Sequence, residues 1–350
     1  MGYRDHIAKT WDRAILSSVL VELGYRCNLD CVICYNDRAQ PGIPLSREDY
    51  FRLLDDLAAL GVLTLTLSGG EPLLHPDFWA IGGRARALGF VVRIKSNGHA
   101  LGRQAAHRLR EEIDPFMVEL SLHGATPATH DRQTQVPGSF ARLLANARTL
   151  LAVGQRIKFN CPLTTWNEGE TAAMFALAEG LGVTLSVDTR LTPRDDGDTS
   201  PLDLAPSVAG IRGVLDRQRA AAAARQPQSA APDEALSREG SCHHCGAGAS
   251  TLAVDPIGNV YPCVQWRRAI GNLHERTVAE LWRGSQELER VRAVTAAVKA
   301  QFAAWPEGER PAGFCPALAE QRTGSPLKLD PEIQRRMLAM GATAVVGPTT

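Results

Sequence analysis

Short apolar runs alternate with stretches of helical periodicity along the first 190 residues or so. Residues 15–23 are rich in Ile, Leu and Val and read as a buried strand. Pro41-Gly42 then breaks the chain. Ser46 offers an N-cap, Asp49 stands three residues on, and Leu45 can staple against Tyr50. Tyr50, Leu53, Leu54, Leu57 and Leu60 follow helical spacing until Gly61. The alternation repeats, with strands expected over 62–67, 90–95, 116–121, 157–161 and 183–187. Helices are expected over 76–88, 103–111, 139–151 and 169–180. Strands alternating with helices predict βα units and a parallel sheet. Right-handed crossovers leave two arrangements open, a doubly wound sheet or a curved, barrel-like one.

Beyond this region the pattern changes. Residues 204–225 read as a helix with an Ala-rich end, and 226–240 as a polar linker containing Pro, Ser and Ala. A second module begins near Cys242. In it, Asp255-Pro256-Ile257-Gly258-Asn259 reads as a hairpin turn, and Thr277 to Glu280 as a helix start. Asp330-Pro331-Glu332 can cap a last helix over 333–340, and 341–350 reads as a frayed tail. The expected organisation is a polar extension over 1–14, a core over 15–203, a helix and linker over 204–240, a second domain over 241–325, and a helix and tail over 326–350.

Composition narrows the function. The 350-residue chain carries 38 basic and 38 acidic residues. Zero net charge argues against a nucleic acid or an anionic membrane held by bulk electrostatics. No apolar run reaches spanning length, so a soluble, cytoplasmic protein is expected. Eight cysteines in such a chain read as metal or redox ligands rather than disulfides. They are clustered at 27, 31 and 34, then a lone Cys161, then 242, 245, 263 and 315. No GxGxxG follows the first strand, which disfavours a Rossmann dinucleotide site.

The stretch Cys27-Asn28-Leu29-Asp30-Cys31-Val32-Ile33-Cys34 follows the first strand directly. Three thiolates at this spacing can wrap one face of a cubane iron–sulfur cluster and leave one iron open. A structural zinc site would want a fourth ligand close by, and none follows until His75. Buried, inert thiols are the remaining reading. Gly69-Gly70-Glu71 ends the second strand, where glycines let the backbone approach a ligand and a carboxylate can accept from an ammonium group. The cysteine loop, Gly69-Gly70-Glu71, Ser96-Asn97-Gly98 and Ser121 all fall at C-terminal strand ends. In a parallel α/β sheet or barrel they would converge at one mouth.

The CxxxCxxC spacing resembles the signature of the radical S-adenosylmethionine (SAM) enzymes. Ile33 stands where that family usually has an aromatic residue. Gly69, Gly70 and Glu71 resemble the family's GGE motif, which holds the SAM amino group. Asn97 and Ser121 match its strand-end SAM contacts. Cys245-x12-Gly258-x4-Cys263, then Leu281-Trp282 after a helix start, resembles the SPASM/twitch auxiliary-cluster domains appended to these enzymes. The later cysteine run of the full SPASM pattern is missing, so one auxiliary cluster is expected, on Cys242, Cys245, Cys263 and Cys315. A four-cysteine zinc knuckle also fits that spacing. His243 and His244 are read as bystanders.

The resemblance implies a curved partial (β/α)6 TIM-like barrel followed by a small α+β SPASM/twitch-like domain. It implies a SAM-binding [4Fe–4S] cluster on Cys27, Cys31 and Cys34, a second [4Fe–4S] cluster, and SAM, with Ile33 beside the cofactor. The implied reaction is reductive cleavage of SAM to a 5′-deoxyadenosyl radical that abstracts a hydrogen atom. The implied substrate is a ribosomally made peptide to be cross-linked, epimerised or oxidised. A separate leader-recognition protein and a reductant such as flavodoxin or ferredoxin are the implied partners. A haem precursor or other small metabolite is the alternative substrate, and a non-catalytic zinc scaffold the alternative class. Cys161 reads as a small buried hydrophobe, or else as a substrate-facing thiol. Arg190 and Arg194 read as carboxylate binders or as a solvated loop.

Overall fold

Six parallel strands stand side by side in the order of the sequence: β1 (Ser18–Glu22), β2 (Thr64–Ser68), β3 (Val91–Ser96), β4 (Met117–Ser121), β5 (Ile157–Pro162) and β6 (Thr184–Asp188). That order decides between the two arrangements the sequence left open. Every crossover runs in the same direction, so right-handed connections place all the connecting helices on one face. The result is barrel-type winding, and the sheet remains open. The structure is a computed structural model that describes residues 3–224, 241, 243–305 and 310–341. The expected linker over 226–240 and all of the tail expected over 341–350 except Gly341 lie outside those residues.

Helix α1 (Tyr3–Asp12) precedes the sheet. The connections are α2 (Arg47–Ala59), α3 (Phe78–Ala87), α4 (Arg103–Arg108) with a π-helical turn over Leu109–Ile113, α5 (Pro127–Thr134), α6 (Ser139–Ala152) and α7 (Thr171–Gly180). Ser46 and Asp49 form the expected capping box of α2. Strand residues alternate between two environments. Leu65, Leu67, Val92, Ile94, Val118, Leu120, Ile157 and Phe159 are buried in the main core with residues of these helices. The alternate residues face the other way, with Lys95, Glu119 and Lys158 in register across β3, β4 and β5. The inner face is therefore polar.

After α8 (Val208–Ala224) the chain rejoins the same sheet. β7 (Thr251–Val254) pairs parallel to β1, and β8 (Asn259–Tyr261) and β9 (Gly271–Asn272) continue antiparallel, giving nine strands. The expected hairpin sits between β7 and β8. The buried Asp255 accepts from Ile257 N at 3.0 Å, Asn259 N at 2.8 Å and Tyr261 Oη at 2.9 Å. Four helices follow: α9 (Val278–Gly284), α10 (Gln286–Ala303), α11 (Pro316–Thr323) and α12 (Pro331–Ala339). Helix α1 ties to this part through Asp12, which accepts from Ser241 Oγ at 2.7 Å.

A buried ion pair joins the two parts. Glu22 ends β1 with its side chain fully buried. It accepts from Tyr35 Oη at 2.7 Å and Tyr25 Oη at 3.0 Å. It also accepts both terminal nitrogens of Arg267, at 3.1 and 3.0 Å. Arg267 Nε lies 3.0 Å from Asp195 Oδ1, and Asp195 N donates to Tyr35 O at 2.8 Å. One guanidinium thus holds β1, the cysteine loop, the segment after β6 and the C-terminal part together. Removing one member of such a pair strands a charge without water or partner. Arg267→Ala is expected to lower unfolding free energy by about 3–5 kcal/mol, read by denaturant titration. Arg267→Lys should recover only part of it, because an ammonium cannot make the two-pronged contact.

Candidate functional site

The cysteine loop leaves β1 and is held from three sides. Asp30 N and Val32 N donate to the carbonyls of Thr134 and Gln133, at 3.0 and 3.1 Å, at the end of α5. Asn36 Nδ2 donates to Gly69 O at 3.0 Å. Arg38 clasps the loop itself, donating to Leu29 O at 2.9 Å and Asp30 Oδ1 at 3.0 Å. Two of the thiols then meet N–H donors. Leu29 N lies 3.4 Å and Asn97 Nδ2 3.6 Å from Cys27 Sγ. His123 Nε2 lies 3.9 Å from Cys31 Sγ, and the Arg38 guanidinium is the opposite charge near Cys34. Burial holds the Cys27 thiol above its ordinary range. It pushes Cys31 up to about 12, with the charges of Cys34 and Cys27 adding to the shift. Cys27 and Cys31, raised by burial and beside the N–H groups of Leu29, Asn97 and His123, form with Cys34 on the same loop a donor set that a cationic group would draw into the thiolate form.

The glycines at the end of β2 serve the chain itself. Gly69 has φ +133°, and a Cβ there would lie 2.4 Å from Gly24 O; one on Gly70 would lie 2.6 Å from Arg26 O. Gly70 N and Glu71 N donate to those same carbonyls, at 2.7 and 3.0 Å. On the side a Cβ would take, both glycines press against the strand exit of β1. Glu71 completes the turn. It is buried, caps a short 3-10 turn through Leu73 N at 3.3 Å, and accepts from Ser96 Oγ at 2.9 and 3.1 Å and from Asn97 N at 2.8 Å. Burial pushes its carboxyl up to about 7, against the pull of those donors.

Asn97 reaches back to the cysteine loop, donating to Asn28 Oδ1 at 2.7 Å. Ser121 ends β4 half-buried beside Asn160 of β5, and Ile33 is half-buried between Cys31 and Cys34. Cys161 is not at this site. It is buried between sheet and α7, 3.6 Å from Met174 Sδ, and burial pushes its thiol up to about 12. Arg190 pairs with Asp188, and Arg194 with Asp196 and Asp198, so their charges are met within the chain.

In the C-terminal part, Cys245, Cys263 and Cys315 pack against Ala247, Trp266, Val291 and Ala317. Burial, then Cys315 and Cys245, push Cys263 up to about 12. Cys315 stands at the N-cap of α11, and burial raises its thiol above the ordinary range. Cys242 lies outside the described residues. His243 and His244 turn elsewhere, to Thr295 Oγ1 at 2.8 Å and Phe314 O at 2.9 Å. Among the described residues, no three His, Cys, Asp or Glu side chains converge on a single-ion site.

Several residues of the site were not singled out in the sequence. Arg93, Lys95 and Lys158 surround Glu119 on the inner face, and Asn160 Nδ2 donates to Glu119 at 2.6 Å. His123, Gln133 and the Glu22–Arg267–Asp195 group were also missed. Period-two alternation in β3, β4 and β5 was the available signal for the inner face. Thr126 before Pro127 was the signal for α5.

Comparison with known proteins follows this geometry. The model of the Radical SAM superfamily matches residues 21–178, and that of an iron–sulfur cluster-binding domain, SPASM, matches 242–306. The mycofactocin maturase MftC of Mycobacterium ulcerans is 31% identical over 69% of this chain. The match spans 66% of that protein, just under two-thirds of its length. The PqqA peptide cyclase of Streptomyces rochei is 29% identical over 90% of this chain and 88% of its own. An AdoMet-dependent heme synthase of Methanosarcina barkeri is 26% identical over 77% and 83%. Two solved structures share the fold. One is anSMEcpe with bound AdoMet and the Cp18Cys peptide (TM-score 0.69, 16% identity, 93% of this chain and 95% of that one). The other is Streptococcus suis SuiB with the precursor peptide SuiA (0.64, 17%, 83% and 70%).

Two outcomes test the turn at the end of β2. Gly70→Ala is expected to destabilise the fold by about 1–3 kcal/mol through overpacking against Arg26 O, read as a lower Tm. A carboxyl whose folded value is raised favours the fold fully below its unfolded value and loses that contribution as pH rises through about 7. In the metal-free protein, Glu71→Gln should therefore gain stability relative to the parent as pH rises from 5 to 7.5. A pH-independent difference in denaturation midpoints would contradict the buried carboxyl.

Proposed function

We propose that this chain, which belongs to the radical SAM superfamily and carries an iron–sulfur cluster-binding SPASM domain, modifies a peptide substrate. The observation that carries the reading is the placement of Cys27, Cys31 and Cys34 on one loop beside the strand ends of β2 and β3, with Asn97 and His123 next to Cys27 and Cys31. These three thiolates hold a [4Fe–4S] cluster by three corners. Cys242, Cys245, Cys263 and Cys315 hold a second cluster by four. The match of residues 242–306 to an iron–sulfur cluster-binding domain favours iron–sulfur over zinc. When bound and reduced, the first cluster supplies the electron that cleaves SAM into methionine and a 5′-deoxyadenosyl radical able to take a hydrogen atom from an unactivated carbon.

The chain's own residues do the rest. The turn over Gly69, Gly70 and Glu71, together with Asn97, Ser121 and Ile33, lines the place where SAM sits. Glu71 sets that place by fixing the ends of β2 and β3 against each other. The inner face receives substrate, and three cations there meet a single carboxylate, Glu119. That excess of positive charge suits a substrate carboxylate and can hold it in near-attack geometry. Relatives named as a peptide cyclase and a maturase favour a peptide, delivered with a separate leader-recognition protein and reduced by a flavodoxin or ferredoxin. A second reading, a tetrapyrrole with its propionates on the same cations, is favoured by the heme synthase relative.

Anaerobic reconstitution followed by dithionite and SAM tests the reading. About eight irons per chain and release of 5′-deoxyadenosine are expected. Changing Cys27, Cys31 and Cys34 together to Ala should halve the iron and abolish deoxyadenosine. No iron, with zinc bound instead, would leave a structural metal scaffold. A mass change on a short peptide, and none on a porphyrin, separates the two substrates.

A further inference from the structure

Cys27 takes its hydrogen bonds from Leu29 N and Asn97 Nδ2, whereas the donor at Cys31 stands at the end of a side-chain relay. His123 follows β4 and is buried, with Nε2 3.9 Å from Cys31 Sγ. Its Nδ1 meets Gln133 Nε2 at 3.1 Å. Gln133 Oε1 accepts from Thr164 Oγ1 at 2.9 Å, and Trp166 N donates to Thr164 Oγ1 at 3.2 Å. Gln133 and Thr164 are themselves fully buried.

The direction of every bond in this relay follows from its sulfur end. A cysteine that ligates iron is a thiolate and only accepts. Nε2 must then carry the imidazole proton, which leaves Nδ1 as the acceptor. Nδ1 needs a donor, and the Gln133 amide nitrogen is in place. The Gln133 carbonyl oxygen then needs a donor, and the Thr164 hydroxyl supplies it, its oxygen already taken up by Trp166 N. No group in the chain is asked to donate and accept the same bond. The ring is also clamped from behind: His123 N donates to His130 Nδ1 at 3.1 Å, and Asn167 Nδ2 donates to His123 O at 3.1 Å. Gln133 acts twice, since its backbone carbonyl holds Val32 N of the cysteine loop while its side chain holds the ring.

We infer that His123 is a positioning residue for the electron-transfer step: it donates Nε2–H to the Cys31 thiolate, and Gln133 and Thr164 lock it in the tautomer that can do so. The inference rests on the assignment of Cys31 as a cluster ligand. A hydrogen bond to a ligand sulfur draws charge from it and favours the more negative, reduced cluster, so the reduction potential rises. Thr164 and Gln133 set that potential from two residues away without touching the cluster.

The test is a potentiometric titration of the full, anaerobically reconstituted chain, followed by electron paramagnetic resonance. The signal to follow is the one whose shape changes when SAM is added. His123→Phe, which fills the space without a donor, is expected to move its midpoint to a more negative potential. His123→Gln, which restores an N–H, should return it toward the parent value. A purely structural role would change cluster occupancy and leave the midpoint of the loaded fraction alone. Should His123→Phe fail to fold, Gln133→Met keeps the ring and removes the donor that fixes it, and must shift the midpoint in the same direction by less. An unchanged or less negative midpoint in either variant overturns the proposal. A parent protein with no SAM-sensitive signal would instead overturn the ligand assignment beneath it.

Discussion

The buried carboxylate of Glu71 is the constraint on which the geometry of this protein turns. It sits where β2 ends, out of water, and satisfies itself only through Ser96 Oγ, Asn97 N and Leu73 N. Those bonds fix the ends of two neighbouring strands against each other. Asn97, held this way, can reach Asn28 and Cys27 of the cysteine loop. The two preceding glycines let that loop's first residues press onto the turn, closer than any Cβ would allow. The cysteine loop has almost no secondary structure of its own. Its shape is borrowed from β2, β3 and the end of α5.

The same economy appears where the C-terminal part meets the barrel. β7 adds directly to β1, so no loose hinge separates the two cysteine groups. Arg267 then crosses from the C-terminal part to Glu22 at the mouth, and Asp195 completes the contact. Burial pushes the Asp195 carboxyl up to about 7 despite that guanidinium. A buried ionic group of this kind contributes geometric specificity more than stability. Here it seals one side of the mouth while the polar inner face of β3, β4 and β5 stays available. The chemistry proposed for the site needs both features: a closed environment around the thiols and a charged wall that grips a substrate.

Much of this was legible in the sequence. The succession of strands and helices followed from alternating runs, and the three-cysteine loop, the glycine turn and Asn97 were each found from spacing at strand ends. Ser46 and Asp49 marked α2 as expected. What escaped notice did so for physical reasons. Helix α5 is eight polar residues long, with too little apolar periodicity to stand out, although Thr126-Pro127 marks its start. Its value lies in two backbone carbonyls and one Gln side chain, which no pattern advertises. The burial of Glu71 was not legible, because burial depends on what packs over a residue. Arg267 and Glu22 lie 245 positions apart, and only the pairing of β7 with β1 brings them together. Cys161 was ambiguous until the alternation in β5 placed it on the helix side.

The claim at the centre of the account is that Cys27, Cys31 and Cys34 close on one iron–sulfur cluster. Anomalous X-ray diffraction at the iron edge, on crystals of the anaerobically reconstituted chain, tests it most directly. The account predicts iron density bridging the three Sγ atoms, with Asn97 and His123 at hydrogen-bond distance from Cys27 and Cys31. It predicts a second iron site at Cys245, Cys263 and Cys315. Zinc-edge density at the first site, or iron that leaves one of the three sulfurs uncoordinated, would contradict it.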